Sequence, residues 1–374
     1  MKISAPWHFA RPDLARQYLK LLTAGPVQAT TIFAPRRAGK TQFLMRDLRP
    51  EAEKAGFTVA YADLWQTQSP ALALLQALEE AAEPKGAMGR VLTLLKPVKS
   101  VKASAKAAGV GGEVQLELGR ANTSALTEIA LRIDELIGKL TSGKRYLLLL
   151  VDEAQALARS TEGEQLARSL RTALTKHADR TRALFTGSSR TQLNSVFSNT
   201  NAPLYSAGHA IHDFPMLGRE FVAFICKKFE ASTGRKLDVE QAMKAHLQFH
   251  SRPEALVRCV VSMVLEPKLS LAAATRSEAA RLLSADTHHS TWTALDALQR
   301  ALIRQMADDP GYPPYAKASL AALGKQLGVP SLKATSVQKA LGALSRVMVL
   351  TRTPEETWEF ENENFRDWVK TLQD

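Results

Sequence analysis

Two short stretches carry residues whose types and spacing suit chemistry on a phosphate. The first is Ala34-Pro35-Arg36-Arg37-Ala38-Gly39-Lys40-Thr41-Gln42. It follows the apolar, β-branched run 29–34 and precedes a segment with helical spacing. A turn between a strand and a helix aims backbone N–H groups and the helix N-terminus at an anion. There Lys40 reaches the β and γ oxygens of a nucleotide, the Thr41 hydroxyl holds Mg²⁺, and Gly39 lets the backbone come close. The usual phosphate-loop pattern has a glycine where this chain has Ala34. A small residue at a strand end serves if its φ is negative. The second stretch is the run Leu147 to Val151, closed by Asp152 and Glu153. In doubly wound sheets the ligand crevice lies at the carboxyl ends of the strands. Asp152 there holds Mg²⁺, directly or through water, and Glu153 orients and deprotonates an attacking water. Each stretch alone also fits a plainer reading: a chance Gly-Lys-Thr in a basic loop, or acids capping a buried strand. Together, on suitable elements, they point to a site for ATP and Mg²⁺.

The elements that must position these residues are legible as alternating strands and helices. Residues 29–34, 57–65, 144–152 and 182–190 read as strands. Between them, 12–23, 41–56, 69–83, 124–140 and 161–179 read as helices, with Ser69 as an N-cap and Pro70 in the first turn. This alternation predicts an α/β fold, a parallel sheet flanked by helices on both faces, and the phosphate loop between its first strand and the next helix fits that of a P-loop NTPase. Residues 95–121 hold spaced lysines, then glycines, then the alternating "EVQLEL", and read as a loop or β-hairpin insertion. From about 217 helices follow one another without a strand, and three more begin at about 290. A short hairpin, "LTRTPEETWEFEN", and a last helix close the chain. The predicted division is 1–216, 217–288 and 289–374.

The bulk numbers fit this picture. The chain has 374 residues, 45% hydrophobic and 23% charged, enough for two or three domains with a sizeable core. Its 49 basic and 37 acidic residues leave a net charge of +12, which favours anionic partners. Cys226 and Cys259 form neither a disulfide framework nor a zinc pattern and read as buried apolar residues of a cytoplasmic protein. The N-terminus lacks a signal-peptide core, and no apolar run is long enough to span a membrane.

The stretches "APRRAGKT", "LLLLVDEAQAL", "ALFTGSSR" and "SRPEAL", with the C-terminal "VQKALGALSRVMVLTR…WEFENENFRDWV", resemble the AAA+ ATPases. The likeness is to the bacterial and archaeal branch related to STAND ATPases and archaeal origin-recognition proteins. It implies an α-helical lid over 217–288 and a winged helix over 289–374. It implies that Ser188 or Thr186 is a polar sensor near the γ-phosphate and that Arg190 is a sensor arginine. Arg252 falls where the lid's own sensor arginine lies. An arginine finger acting across a subunit boundary is implied for the class, with Arg180, Arg182 and Arg190 as candidates. The segment "WHFARPDL" is implied to lie near the adenine.

Residues 312–354 hold Lys317, Lys325, Lys333, Lys339, Arg346 and Arg352 without an acid. A winged helix with its third helix at 333–346 would offer this basic face to double-stranded DNA, with Ser336, Gln338 and Lys339 toward the groove. The same lysines also fit ordinary solvated faces, and a winged helix also serves as a protein-docking module. The expected function is an ATP-hydrolysing switch that controls assembly or DNA or protein binding. Its rivals are a signalling switch with little turnover acting on a protein partner, a DNA-binding factor of a mobile-element or defence system, and a P-loop phosphotransferase. Asp152 and Glu153, after the run 147–151, argue against the last. A homo-oligomer or a protein partner is expected, and no membrane.

Overall fold

The structure, a computed structural model, describes residues 7–24, 27–67, 69–83, 114–198, 200–205, 211–284, 286–329, 331–353 and 357–372. Helix α1 (Pro12–Ala24) leads to β1 (Ala29–Phe33). Helix α2 (Lys40–Phe43) continues through a π turn (Leu44–Leu48) into α3 (Arg49–Lys54). Pro50 explains the wide turn, because its ring would press on the carbonyl one α-turn earlier. The helix ends before Gly56, whose φ of +90° reverses the chain. Then come β2 (Phe57–Asp63), α4 (Pro70–Ala82), α5 (Val114–Leu140), β3 (Tyr146–Asp152), a 3₁₀ turn (Ala154–Ala158), α6 (Thr161–Lys176), β4 (Thr181–Gly187), α7 (Arg190–Phe197) and β5 (Ile211–Asp213).

The five strands form one parallel sheet in the order β2-β3-β4-β1-β5. Strand β3 shows why both faces are covered. Leu147, Leu149 and Val151 enter one core with α4, α5 and α6, whereas Leu148 and Leu150 enter another with α1 to α3. All five are fully buried. The strand period of two splits one apolar run between two layers, as a doubly covered sheet requires. The register fixes the chemistry as well: Asp63 lies opposite Asp152, and Phe33 opposite Gly187, so the ends of β1 to β4 meet at one edge.

Helices α8 (Arg219–Thr233), α9 (Val239–Gln248), α10 (Pro253–Leu265) and α11 (Leu271–Leu283) share a third core, and Trp7 and Phe9 pack against it. Both cysteines are buried there, with Cys259 pushed up to about 11 by burial. A fourth core gathers α12 (Asp286–Thr293), α13 (Ala297–Asp308), α14 (Lys317–Gln326), α15 (Ala334–Arg346), the antiparallel pair β6 (Leu350–Arg352) and β7 (Trp358–Phe360), and α16 (Glu363–Lys370). Among the described residues no helix is long and apolar enough to cross a membrane.

Three expectations need correction. The run "VQLEL" at 114–118 is helix, not strand: α5 begins at Val114, ten residues before the predicted helix start. Five residues of alternation also fit a helix, and Gln, Leu and Glu favour one. The rest of the expected insertion, 95–113, lies outside the described residues. The predicted continuous helix after 290 is two, because Asp296 accepts from the Gln299 amide while Gln299 answers the Asp296 amide, a capping box that starts α13 afresh. Strand β5 was not expected, its three residues being too short to show a period.

Candidate nucleotide site

The loop between β1 and α2 is held at both ends. The Ala34 amide donates to the Gly187 carbonyl at 3.2 Å, and the Phe43 amide to the Gly39 carbonyl at 3.0 Å. Gly39 has a φ of +91° and Arg37 one of +68°, so the left-handed residues fall at 37 and 39. Ala34 has no positive φ, which is why alanine serves where the pattern has glycine. Arg37 pays its strain beside an ion pair with Glu254 of α10 at 3.1 Å.

Lys40 is 5% exposed. Its Nζ donates to the carbonyls of Ala34 at 3.0 Å and Pro35 at 3.4 Å, not to a carboxylate. Burial lowers its pKa, against the pull of Glu153 and Asp152, and the charge of Arg36 lowers it further. A buried ammonium whose hydrogen-bond partners are two carbonyls can exchange them for an anion. The first N–H groups of the helix that begins at Lys40 have no intrahelical acceptor and face the same side.

Asp152, 1% exposed, collects four donors. Its Oδ2 accepts from Thr41 Oγ1 at 2.6 Å and Tyr61 OH at 3.3 Å. Its Oδ1 accepts from the Glu153 amide at 3.0 Å and from Thr186 Oγ1. The two residues expected to hold Mg²⁺, Thr41 and Asp152, are thus in direct contact, and hard oxygens beside a phosphate-facing loop suit that ion. Burial, then the charge of Asp152, pushes the Tyr61 phenol far above its ordinary range, so it remains a donor. Tyr61 was not singled out from sequence, where it is one more aromatic in a strand.

Glu153 sits in the left-handed region at φ +54° and opens the 3₁₀ turn. Its Oε2 accepts from Ser188 Oγ at 2.9 Å and from Gln155 Nε2. Gln155, fully buried, also donates to Ser188 Oγ at 3.0 Å and accepts from the Ser188 amide at 3.3 Å. Ser188 is therefore the polar residue that touches the expected general base, whereas Thr186 serves Asp152. Gln155 is the group that sequence reasoning passed over. The only signal for it was its place two residues past the acids.

Two cavities flank the loop. One of about 600 Å³ is lined by Trp7, Phe9, Lys40, Gln42, Phe221 and Val257, which brings the N-terminal segment and the third core onto the loop. His8 anchors that segment on Asp47 at 2.8 Å, and Arg11 lies 4.2 Å over the Phe214 ring. The other, of about 410 Å³, is lined by Pro35, Arg36, Arg159, Ser188 and Arg252 among others. Burial lowers the Arg252 pKa despite Glu363 and Asp367, and its Nε has no partner.

The other expected arginines go elsewhere. Arg190 is bonded to Asp213 and lies 4.3 Å over Phe33, and it lines neither cavity. Arg180 and Arg182 stand at the start of β4, the opposite sheet edge, where the Arg182 guanidinium is spent on the carbonyls of Leu22, Ala178 and Thr181.

The fold recurs in solved structures. The chain is similar to the Walker-type ATPase of Pyrococcus abyssi, with a TM-score of 0.62 at 15% identity over 97% of this chain and 96% of that one. It is also similar to the Aeropyrum pernix ORC2 protein in its ADP form, with a TM-score of 0.55 at 16% identity over 96% and 91%. The chain has an α/β P-loop NTPase fold. No family model matches it, and no curated protein does.

Proposed function

We propose that this AAA+ chain binds and hydrolyses ATP and uses the nucleotide as a switch. The observation that carries the reading is the Thr41–Asp152 contact at 2.6 Å beside a buried Lys40 that lacks a carboxylate. Thr41 and Asp152 would hold Mg²⁺, which when bound neutralises charge on the β and γ oxygens. Lys40 would exchange its carbonyl partners for phosphate oxygens. Glu153, oriented by Ser188 and Gln155, would take the proton of the attacking water. Arg252 would face charge that develops on the γ side. The ADP bound by the Aeropyrum ORC2 protein supports nucleotide binding on this fold.

In this reading 1–216 is the nucleotide-binding domain, 217–288 the lid and 289–374 a winged helix, and a nucleotide between lid and sheet biases their arrangement. Supporting a DNA role, Lys325, Lys333, Gln338, Lys339 and Arg346 are exposed around α15, while Val337, Leu341 and Leu344 fill the core. ATP turnover by the full chain and by Lys40→Ala, each with and without duplex DNA at moderate salt, tests both parts. Turnover that rises with DNA and vanishes in the variant is expected. Turnover indifferent to DNA would turn the reading toward a protein partner, and absence of turnover in the full chain would refute hydrolysis.

A further inference from the structure

Trp65 follows β2 and is 37% exposed, beside the phosphate loop rather than in a core. Two guanidinium groups lie over its ring. Arg36 of the loop stands 4.8 Å from the ring centroid, and Arg159, at the end of the 3₁₀ turn, 4.9 Å. The Trp65 backbone is fixed by its amide bond to Asp63 Oδ1 at 2.9 Å, and the preceding Leu64 amide donates to the Asp152 carbonyl at 3.1 Å. Arg159 Nε reaches Gln192 of α7 at 3.3 Å. Among the described residues, no carboxylate lies within ion-pair distance of Arg36 or Arg159. Two like charges on one aromatic ring, neither paired with a carboxylate, are poised for an anion; the acids that line the same cavity, Glu254, Glu278 and Glu361, are held by Arg37, Arg281 and the Thr191 amide. Both line the 410 Å³ cavity, together with Ser188, which holds Glu153. Arg36 is also close enough to act on the charge of Lys40.

We infer that Trp65 is a positioning residue that presents Arg36 and Arg159, from within the same chain, to the γ-phosphate of a nucleoside triphosphate. The inference rests on the nucleotide reading above and deepens it. Lys40, Thr41 and Glu153 line the neighbouring 600 Å³ cavity, which shares Arg37 and Glu254 with this one, and the terminal phosphate would lie where the two meet, beside Ser188, while Lys40 serves the inner phosphates as well. A diphosphate leaves this pair of cations without a partner. The arrangement gives the site charge that Arg180, Arg182 and Arg190 do not supply in this chain.

Calorimetric titration of the full chain with ADP and with ATPγS, each with Mg²⁺, tests it. Arg159→Ala and Arg36→Ala are expected to weaken ATPγS about ten-fold, the loss of one charge-assisted contact, and ADP less than about two-fold. Trp65→Ala follows the same pattern, and Trp65→Phe restores most of the affinity because the ring remains. ATPγS, and not ADP, changes the emission component that Trp65→Phe removes. Equal weakening of both nucleotides, or Phe behaving as Ala, overturns the inference while the nucleotide reading stands. A full chain that binds neither nucleotide overturns both. Arg159 is exposed, so its variant tests the idea even if the loop variant misfolds.

Discussion

Glu361 accepts a hydrogen bond from the Thr191 amide at 3.0 Å, and the same Oε1 takes the Ser189 hydroxyl at 3.3 Å. A carboxylate just after β7 therefore caps the helix that follows β4, alongside that helix's own cap, Ser189. Nearby, Asp367 accepts from His250 at 2.6 Å, and Glu363 faces Arg252 at 3.7 Å. His250 and Ser251 both have positive φ, so the segment that carries Arg252 is strained where the C-terminal helix docks. Glu361→Ala is expected to cost about 1 kcal/mol, the usual worth of an N-terminal cap. Glu361→Gln keeps an acceptor oxygen and costs less. Hydrogen exchange over 189–197 and 357–372 in the full chain measures it. Equal exchange in all three proteins would refute the cap.

Gly187 ends β4 under the polar cluster. A Cβ there would lie 2.4 Å from Gln155 Oε1 and 2.7 Å from Leu193 Cδ2. Gly187→Ala should therefore cost about 1–3 kcal/mol, the usual overpacking penalty. It should also slow ATP turnover more than it weakens nucleotide binding, because Gln155 must move and Gln155 positions Ser188 and Glu153. Denaturant unfolding and steady-state kinetics on one preparation separate the two effects. An alanine variant with unchanged turnover would show that Gln155 has no positioning role.

These two relationships mark the limit of what a sequence can carry. Asp152 and Lys40 were legible because their neighbours signal strand and helix directly. The β3 run was legible because five buried aliphatic residues have one economical place in a sheet. Gln155, Tyr61 and Trp65 were not, because their roles come from the strand order β2-β3-β4-β1, which sets residues far apart in sequence side by side. Glu361 is still harder to foresee: its partner lies 170 positions away. The contact of Arg190 with Asp213 was hidden for the same reason, since Asp213 sits on a strand too short to predict.

His246, beside the core shared by α8 to α11, gives that core a pH dependence. It is fully buried, its Nε2 bonds the Leu217 carbonyl at 2.8 Å, and burial lowers its pKa below the ordinary 6.5. In the unfolded chain it gains a proton near 6.5, whereas in the folded chain it resists. Its contribution is thus whole above 6.5 and is lost as pH falls through the folded value. Thermal midpoints measured between pH 7.5 and 5 should fall less for His246→Gln than for the parent. Parallel curves would place the acid sensitivity elsewhere.

Lys40, also a base, has the same sign of shift in a higher pH window. Its pKa is lowered from the ordinary 10.5, chiefly by burial. Between its own folded value and 10.5 the unfolded chain holds a proton that the folded chain has lost, so stability rises with pH across that window. Below the window the ligand-free fold carries a buried ammonium whose partners are two carbonyls. Lys40→Met removes that charge while keeping the apolar stem. The variant should therefore unfold roughly two degrees higher than the parent at neutral pH without nucleotide. The gap should close as pH approaches 10.5. Saturating Mg²⁺ and ATPγS should reverse the order, since only the parent gains binding free energy. Thermal unfolding of both proteins at two pH values, with and without nucleotide, measures all of this. A variant less stable than the parent under every condition would mean that Lys40 supports the loop itself, rather than waiting in it for a phosphate.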